Sequence, residues 1–272
     1  MRRLGIGALT ATGLLIVVSA GAGALKTKSA STTIAAGADG SVTAKCKKGS
    51  EAVSGGFESP GFVFPFDSIA GPSNFSFESR REGRRKLVAS AHNSGSDPGT
   101  LISDAYCDKD KPGLKTRTAS TATIEFLDDD SATAKCPKGS EAVWGGFESP
   151  DLSVGSSRKG KRTWTASAVN FNDPAPLTVF VYCDKREPGL KAKKDSTILG
   201  NNEIGSATAK CGKHSEAVSG GFFAPGGFDL DVGSEIYFFE SHRKGKRKWT
   251  ASGLNQGDPA KLTAFAYCEK KD

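Results

Sequence analysis

The chain has 272 residues, 37% hydrophobic, 8% aromatic and 25% charged, with 33 Gly, 6 Cys and a formal net charge of +7. Its apolar content is ample, and beyond the N-terminus no apolar run reaches the length of a membrane span. Disordered, collagen-like and polytopic membrane classes are therefore excluded, and a basic, Gly-rich globular protein remains.

The first 24 residues read as a secretory signal peptide. Arg2 and Arg3 form a positive start, Leu4 to Ala20 an apolar stretch, and Ala22-Gly23-Ala24 a small-residue cleavage site, with cleavage expected after Ala24. Export to an oxidising compartment turns evenly spread cysteines into disulfides. No C-x-x-C occurs, so the short ligand spacing of a zinc site is missing.

Beyond residue 24 the chain repeats itself. Residues 43–57 read Thr-Ala-Lys-Cys-x-Lys-x-Ser-Glu-Ala-Val-x-Gly-Gly-Phe, and the same identities recur at 133–147 and 208–222. A second block aligns Lys86 to Asn93 with Thr163 to Asn170 and Lys248 to Asn255. An Asp-Pro turn then leads to a closing strand that ends Tyr106-Cys107, Tyr182-Cys183 or Tyr267-Cys268. The openings Leu25-Lys26, Leu114-Lys115 and Leu190-Lys191 place the units at 25–113, 114–189 and 190–272.

Within each unit the apolar residues alternate with period two and the runs end at Gly, Pro, Asn or Asp, which predicts strands throughout and no substantial helix. Leu177, Val179, Val181 and Cys183 share one face, and Trp164, Ala166 and Ala168 share another. The pairs Gly55-Gly56, Gly145-Gly146 and Gly220-Gly221 suit a bulge or the close approach of a neighbouring backbone. Four or five strands per unit, taken three times, predict an all-β, pseudo-threefold, β-prism-like body, with a β-trefoil or three separate β beads as alternatives. Two disulfide patterns respect the threefold repeat. The within-unit pattern (Cys46 with Cys107, Cys136 with Cys183, Cys211 with Cys268) is preferred over the cyclic one, because it staples each unit's last strand.

The sequence around Cys136-Pro137-Lys138-Gly139, Gly145-Gly146-Phe147, Trp164-Thr165-Ala166 and Tyr182-Cys183 resembles a repeat of secreted, chiefly actinobacterial proteins, mostly of unknown function. The likeness covers the chain beyond residue 24. In outline the threefold arrangement is also similar to vitelline membrane outer layer protein, a β-prism. Lys47 and Gly212 depart from the bacterial pattern where it has Pro, and Leu87 where it has Trp. The resemblance implies export and a β fold, and no activity.

Candidate functional residues fall into four groups. The basic hairpins Arg80 to Lys86, Arg158 to Arg162 and His242 to Lys248 occupy equivalent places, with a central Gly for a tight turn. Their residues Arg84, Arg85, Lys161, Arg162, Lys246 and Arg247 would ring one axis with positive charge. That arrangement suits anionic polysaccharide or cell-wall polymer, with nucleic acid a weaker candidate, and its plain counterpart is a solubilising edge guard. The recurring Glu51, Glu141 and Glu216 are the candidates of the alternative function, a secreted carboxylate-dependent hydrolase, or else structural ion-pair members. Asp229, Asp231 and Glu235 form D-x-D-x-G-x-E, an oxygen-ligand pattern of the calcium type absent from the other units; Asp128-Asp129-Asp130 reads as a solvated turn. Aromatic loops around Phe62, Phe64, Phe66 and Phe223, Phe228, Tyr237 to Phe239 suit sugar stacking or closure of the prism ends. The three histidines do not repeat: His242 aligns with Arg80 and Arg158, His92 with Val169 and Leu254. No metal and no cofactor is assigned, and no stable membrane insertion is expected.

Overall fold

The computed structural model describes residues 24–62, 74–110, 112–149, 151–170, 172–224, 228–229 and 234–271. Residues 1–23 of the expected signal peptide at 1–24 lie outside them. The described residues form an all-β body without helix. Unit 1 supplies β1 (Lys26–Ile34), β2 (Asp39–Lys45), β3 (Glu51–Glu58), β4 (Asn74–Glu82), β5 (Lys86–Asn93) and β6 (Gly99–Asp108). Unit 2 supplies β7 (Lys115–Ile124), β8 (Asp129–Lys135), β9 (Glu141–Glu148), β10 (Leu152–Arg158), β11 (Thr163–Val169) and β12 (Ala175–Asp184). Unit 3 supplies β13 (Lys191–Leu199), β14 (Glu203–Lys210), β15 (Ser215–Phe223), the two-residue β16 (Phe228–Asp229), β17 (Ser234–Arg243), β18 (Lys248–Asn255) and β19 (Ala260–Lys270). Each unit thus has six principal strands, more than the four or five its sequence suggests, because the Thr/Ser/Lys-rich openers such as β7 carry little apolar signal.

Three antiparallel sheets result, and no unit owns one. Their orders are β1-β6-β3-β17-β18-β14, β13-β19-β15-β10-β11-β8 and β2-β5-β4-β9-β12-β7. Every unit gives its first, third and last principal strands to one sheet and the other three to the next. The faces of the pseudo-threefold prism are therefore each shared by two units, which excludes separate beads. At every corner the chain leaves one sheet edge and becomes the edge of its neighbour, as from β1 to β2. Disulfides Cys46–Cys107, Cys136–Cys183 and Cys211–Cys268 join residues on adjacent sheets, one staple for each corner.

The Gly-Gly-Phe motif builds the centre. Phe57, Phe147 and Phe222 meet edge to face with centroids 5.9–6.3 Å apart, a favoured geometry for aromatic pairs. A Cβ on the first glycine would strike the unit's own core residue: Leu87 at 2.0 Å from Gly55, Trp164 at 2.2 Å from Gly145, Trp249 at 2.1 Å from Gly220. On the second it would strike the backbone of the preceding unit around the ring, the carbonyl of Ser241, Ser79 or Ser156 at 2.6, 2.3 and 2.3 Å from Gly56, Gly146 and Gly221. Close approach, not a bulge, explains these glycines; the bulges lie just before them, at Val53, Val143 and Val218. The recurring Asn93, Asn170 and Asn255 are fully buried and clamp the Asp-Pro loops, each donating to the carbonyl of a strand end (Ile34, Ile124, Leu199) and of the loop Asp (Asp97, Asp173, Asp258).

Leu87, the departure from Trp, is compensated elsewhere. Tyr106 meets Trp249 and Tyr267 meets Trp164 edge to face at 5.6 and 5.4 Å. Tyr182, bonded to the backbone of Arg81 whose cross-strand partner is Leu87, instead stacks on Trp144 at 4.9 Å. Trp144 stands where the other units have Ser54 and Ser219.

Candidate functional site

The basic hairpins β4–β5, β10–β11 and β17–β18 all point to one end of the prism. Backbone hydrogen bonds fix this placement identically in each unit. Cys46, Cys136 and Cys211 donate to the carbonyls of Arg85, Arg162 and Arg247 at 2.8 Å, and Ala52, Ala142 and Ala217 donate to Arg84, Lys161 and Lys246 at 2.9 Å. Arg84, Lys161 and Lys246 are exposed, while Arg85, Arg162 and Arg247 are half-buried. The six candidate cations thus extend from a rigid main-chain base.

The hairpins also contain an element the sequence did not separate from the tips. Arg81, Arg158 and Arg243 turn inward and meet Glu51, Glu141 and Glu216 at 2.9, 2.7 and 2.8 Å, with every one of these side chains nearly buried. The carboxylates also accept backbone amides where the next unit opens: Gly113 and Leu114 on Glu51, Gly189 and Leu190 on Glu141, and Leu25 on Glu216. The arginines in turn donate to the carbonyls of Leu114, Leu190 and Leu25. Each pair therefore fastens one unit to the start of the next and closes the ring, and its buried charges have partners for most of their polar capacity. Tyr182, Tyr267 and Tyr106 complete the cluster, their hydroxyls accepting the backbone amides of the same arginines at 2.6–2.7 Å beneath the guanidinium groups. Burial raises the phenol pKa of all three. The available signal for these pairs was the Glu that recurs in every Cys block together with the Arg that recurs 6 residues before Leu87, Trp164 or Trp249.

This correspondence corrects the histidine alignment. Arg158 matches Arg81 and Arg243, so His242 stands with Arg80 and Ser157. His242 is set among Glu240 at 2.8 Å, Glu58 at 3.2 Å and Asp104 at 3.7 Å. Burial works against its charge, but hydrogen bonds to Asp104, Glu240 and Glu58 outweigh it and push the imidazole pKa up to about 11. Arg80 fills the same role between Glu78 at 2.6 Å and Glu148 at 3.4 Å. His242 is thus a fixed structural cation.

On the axis at the basic end, Val53, Val143 and Val218 with Asp108, Asp184 and Glu269 line a cavity of about 40 Å³. Arg186 lies 2.9 Å from Asp184 and 4.0 Å from Asp108. Burial raises the Asp108 pKa. Arg186 and Lys271 also line the cavity, so carboxylates and cations meet at the centre of the cationic rim.

The remaining candidates separate. Phe62 stacks on Phe239 at 4.1 Å and meets Phe75 at 5.2 Å, so it packs a seam between units 1 and 3; Phe223 lies under the Lys159 ammonium at 4.6 Å. Phe64, Phe66 and Asp231 lie outside the described residues, as do the side chains of Phe228, Asp229 and Glu235. Asp128 and Asp130 cap the amides of the residues that follow them in an exposed turn. Among the described residues no group of three or more His, Cys, Asp or Glu is arranged to hold a metal ion. No helix among them is long and apolar enough to cross a membrane.

No protein-family model matches the chain, and no curated protein shows significant similarity to it.

Proposed function

We propose that the protein is exported and acts as a disulfide-stabilised binding or structural protein, its basic end engaging anionic polysaccharide or other anionic polymers of extracellular or cell-wall material. The observation that carries this reading is the rim: three hairpin tips, pinned by the same two backbone hydrogen bonds in every unit, hold paired cations at one end of a rigid body. A preorganised base lowers the ordering cost of binding an extended polyanion. Three disulfides fit an oxidising compartment. The alternative, a carboxylate-dependent hydrolase, is disfavoured because Glu51, Glu141 and Glu216 are engaged by buried arginines and backbone amides.

The test is retention on heparin, teichoic acid and DNA across a salt series. Six tip cations neutralising about six charges give a log-log salt slope of about −5 on a duplex-like polyanion. Changing Arg84, Arg85, Lys161, Arg162, Lys246 and Arg247 to Ser should abolish retention. Equal retention of this variant, or no retention of either protein at low salt, would overturn the reading.

A further inference from the structure

The outer faces of the three sheets carry different chemistry at equivalent positions. On the face from β1 to β14, His242 stands among Glu240, Glu58 and Asp104. On the face from β2 to β7, Arg80 stands between Glu78 and Glu148 and lies 5.7 Å from the Phe180 ring. On the face from β13 to β8 the cation is replaced by Ser157, the two glutamates by Gly155 and Phe223, and Phe265 is the counterpart of Asp104 and Phe180. Cross-strand pairing fixes this correspondence, because Gly155 opposes Phe223 as Glu240 opposes Glu58 and Glu78 opposes Glu148.

The third face therefore has aromatic rings where the other two have ion clusters. A Cβ on Gly155 would lie 2.9 Å from the Phe223 ring, so the ring takes the room that a glutamate side chain uses on the other faces. Lys159, from the β10–β11 hairpin, brings its ammonium to 4.6 Å from the Phe223 centroid. Phe265 is half-buried, opposed by Gly221 on one side and by the exposed Lys194 on the other, and its ring lies parallel to Tyr267 at 6.4 Å. Among the described residues no guanidinium caps Phe265 as Arg80 caps Phe180, and Lys159 and Lys194 have no ion-pair partner. Hydroxyl pairs border the rings, Ser196 with Thr263 at 3.0 Å and Thr133 with Thr165 at 2.8 Å. Aromatic surface with a few fixed polar groups is the composition that binds and orients a small polar ligand.

We infer that this face is a subsite for an acidic sugar unit of the polymer, the apolar side of the pyranose ring resting on Phe265 and its carboxylate or sulfate meeting Lys159 and Lys194. Charge complementarity selects the acid: two ammonium groups flank the rings, and neither glutamate of the other faces is present to neutralise them. The inference rests on the polyanion reading and narrows it to sugar-borne acids. Lys159 makes the face continuous with the basic rim, because it precedes Lys161 and Arg162 in the same hairpin. The repeat supplies matched controls: Phe180 for Phe265, and the exposed Lys244 at the hairpin position of Lys159.

The protein and its Phe265→Leu, Phe180→Leu and Lys159→Gln variants would be titrated with a galacturonate trisaccharide, inorganic tripolyphosphate and an oligothymidylate. Phe265→Leu should weaken trisaccharide binding at least about tenfold and Phe180→Leu less than about twofold, the contrast between a central aromatic contact and a peripheral one. Lys159→Gln should weaken it about threefold or more. Tripolyphosphate has charge but no ring, so Phe265→Leu should leave its affinity within about twofold. On the unsubstituted protein the trisaccharide should shield Lys159 from acetylation more than Lys244, a readout that needs no variant to fold. Equal losses in the two Phe variants, with equal shielding, would overturn the subsite and leave the rim reading standing. Tighter binding of the oligothymidylate than of the trisaccharide, with the same dependence on Phe265, would overturn the sugar in favour of base stacking. Failure to bind the trisaccharide, while long polyanions are still retained at low salt, would overturn the subsite alone. Failure to retain any polyanion would overturn both.

Discussion

The exchange between Leu87 and Trp144 offers a strict test of the threefold packing. In two units a Trp beside the core glycine meets the Tyr that precedes the closing Cys, and its indole nitrogen donates to Ser156 or Ser241 at 2.9 Å. In the third, the equivalent acceptor Ser79 is present and buried, but position 87 is Leu and the aromatic partner of Tyr182 comes from Trp144. Trp144→Ser alone removes a buried indole and should cost about 3–5 kcal/mol. Leu87→Trp alone adds a large ring while Trp144 still holds the neighbouring volume, costing about 1–3 kcal/mol. The double variant restores the arrangement of the other units: the indole can donate to Ser79, and a serine at 144 can donate to the Val53 carbonyl, as Ser54 does to Val218 and Ser219 to Val143. It should lie within about 2 kcal/mol of the parent, a coupling energy of about 2 kcal/mol or more, at the upper end of what contacting residues show. Urea unfolding followed by far-UV circular dichroism with the disulfides intact measures each corner of the cycle. A double variant whose loss equals the sum of the singles within about 0.5 kcal/mol would rule out this coupled packing.

Two further outcomes rest on contacts that decide the fold. Gly146→Ala places a methyl 2.3 Å from the Ser79 carbonyl, at a seam where β4 and β9 pair over only two residues; it should cost about 3 kcal/mol and lower Tm by about 6–12 °C. Gly212→Ala, with nothing within 4 Å, should leave calorimetric Tm within about 2 °C of the parent, and equal effects of the two substitutions would contradict the close-approach account. His242 has a folded pKa raised above its unfolded value, so its contribution to stability is complete below pH about 6.5 and is lost as pH rises toward about 11. NMR should find its imidazole protonated from pH 5 to 9, whereas a midpoint near neutrality would remove its role as a fixed cation.

The repeats and the β class were legible because each depends on local order along the chain: identities at a fixed spacing and alternation of period two; of the two threefold cysteine patterns the sequence allows, the structure has the within-unit one. The inward face of Trp164, Ala166 and Ala168 was legible for the same reason. Tyr182 was not. Its alternation places it with the outward-facing Phe180, yet it is fully buried, because Arg81 from another unit lies over it. The basic runs likewise read as uniform charge, and only the three-dimensional contacts divide Arg81, Arg158 and Arg243, which bind buried glutamates, from the tips that face solvent.

Short-range patterning and composition are enough to set the three copies, their strands, their turns and the supply of cysteines. They do not set the sharing of each sheet between two units or the closure of the ring by Glu51, Glu141 and Glu216. Those features depend on which unit packs against which. In a threefold repeat every copy offers the same bonding groups, so local pattern cannot distinguish a partner within the unit from the equivalent partner in its neighbour; the steric fit of Gly56, Gly146 and Gly221 against the adjoining backbone makes that choice.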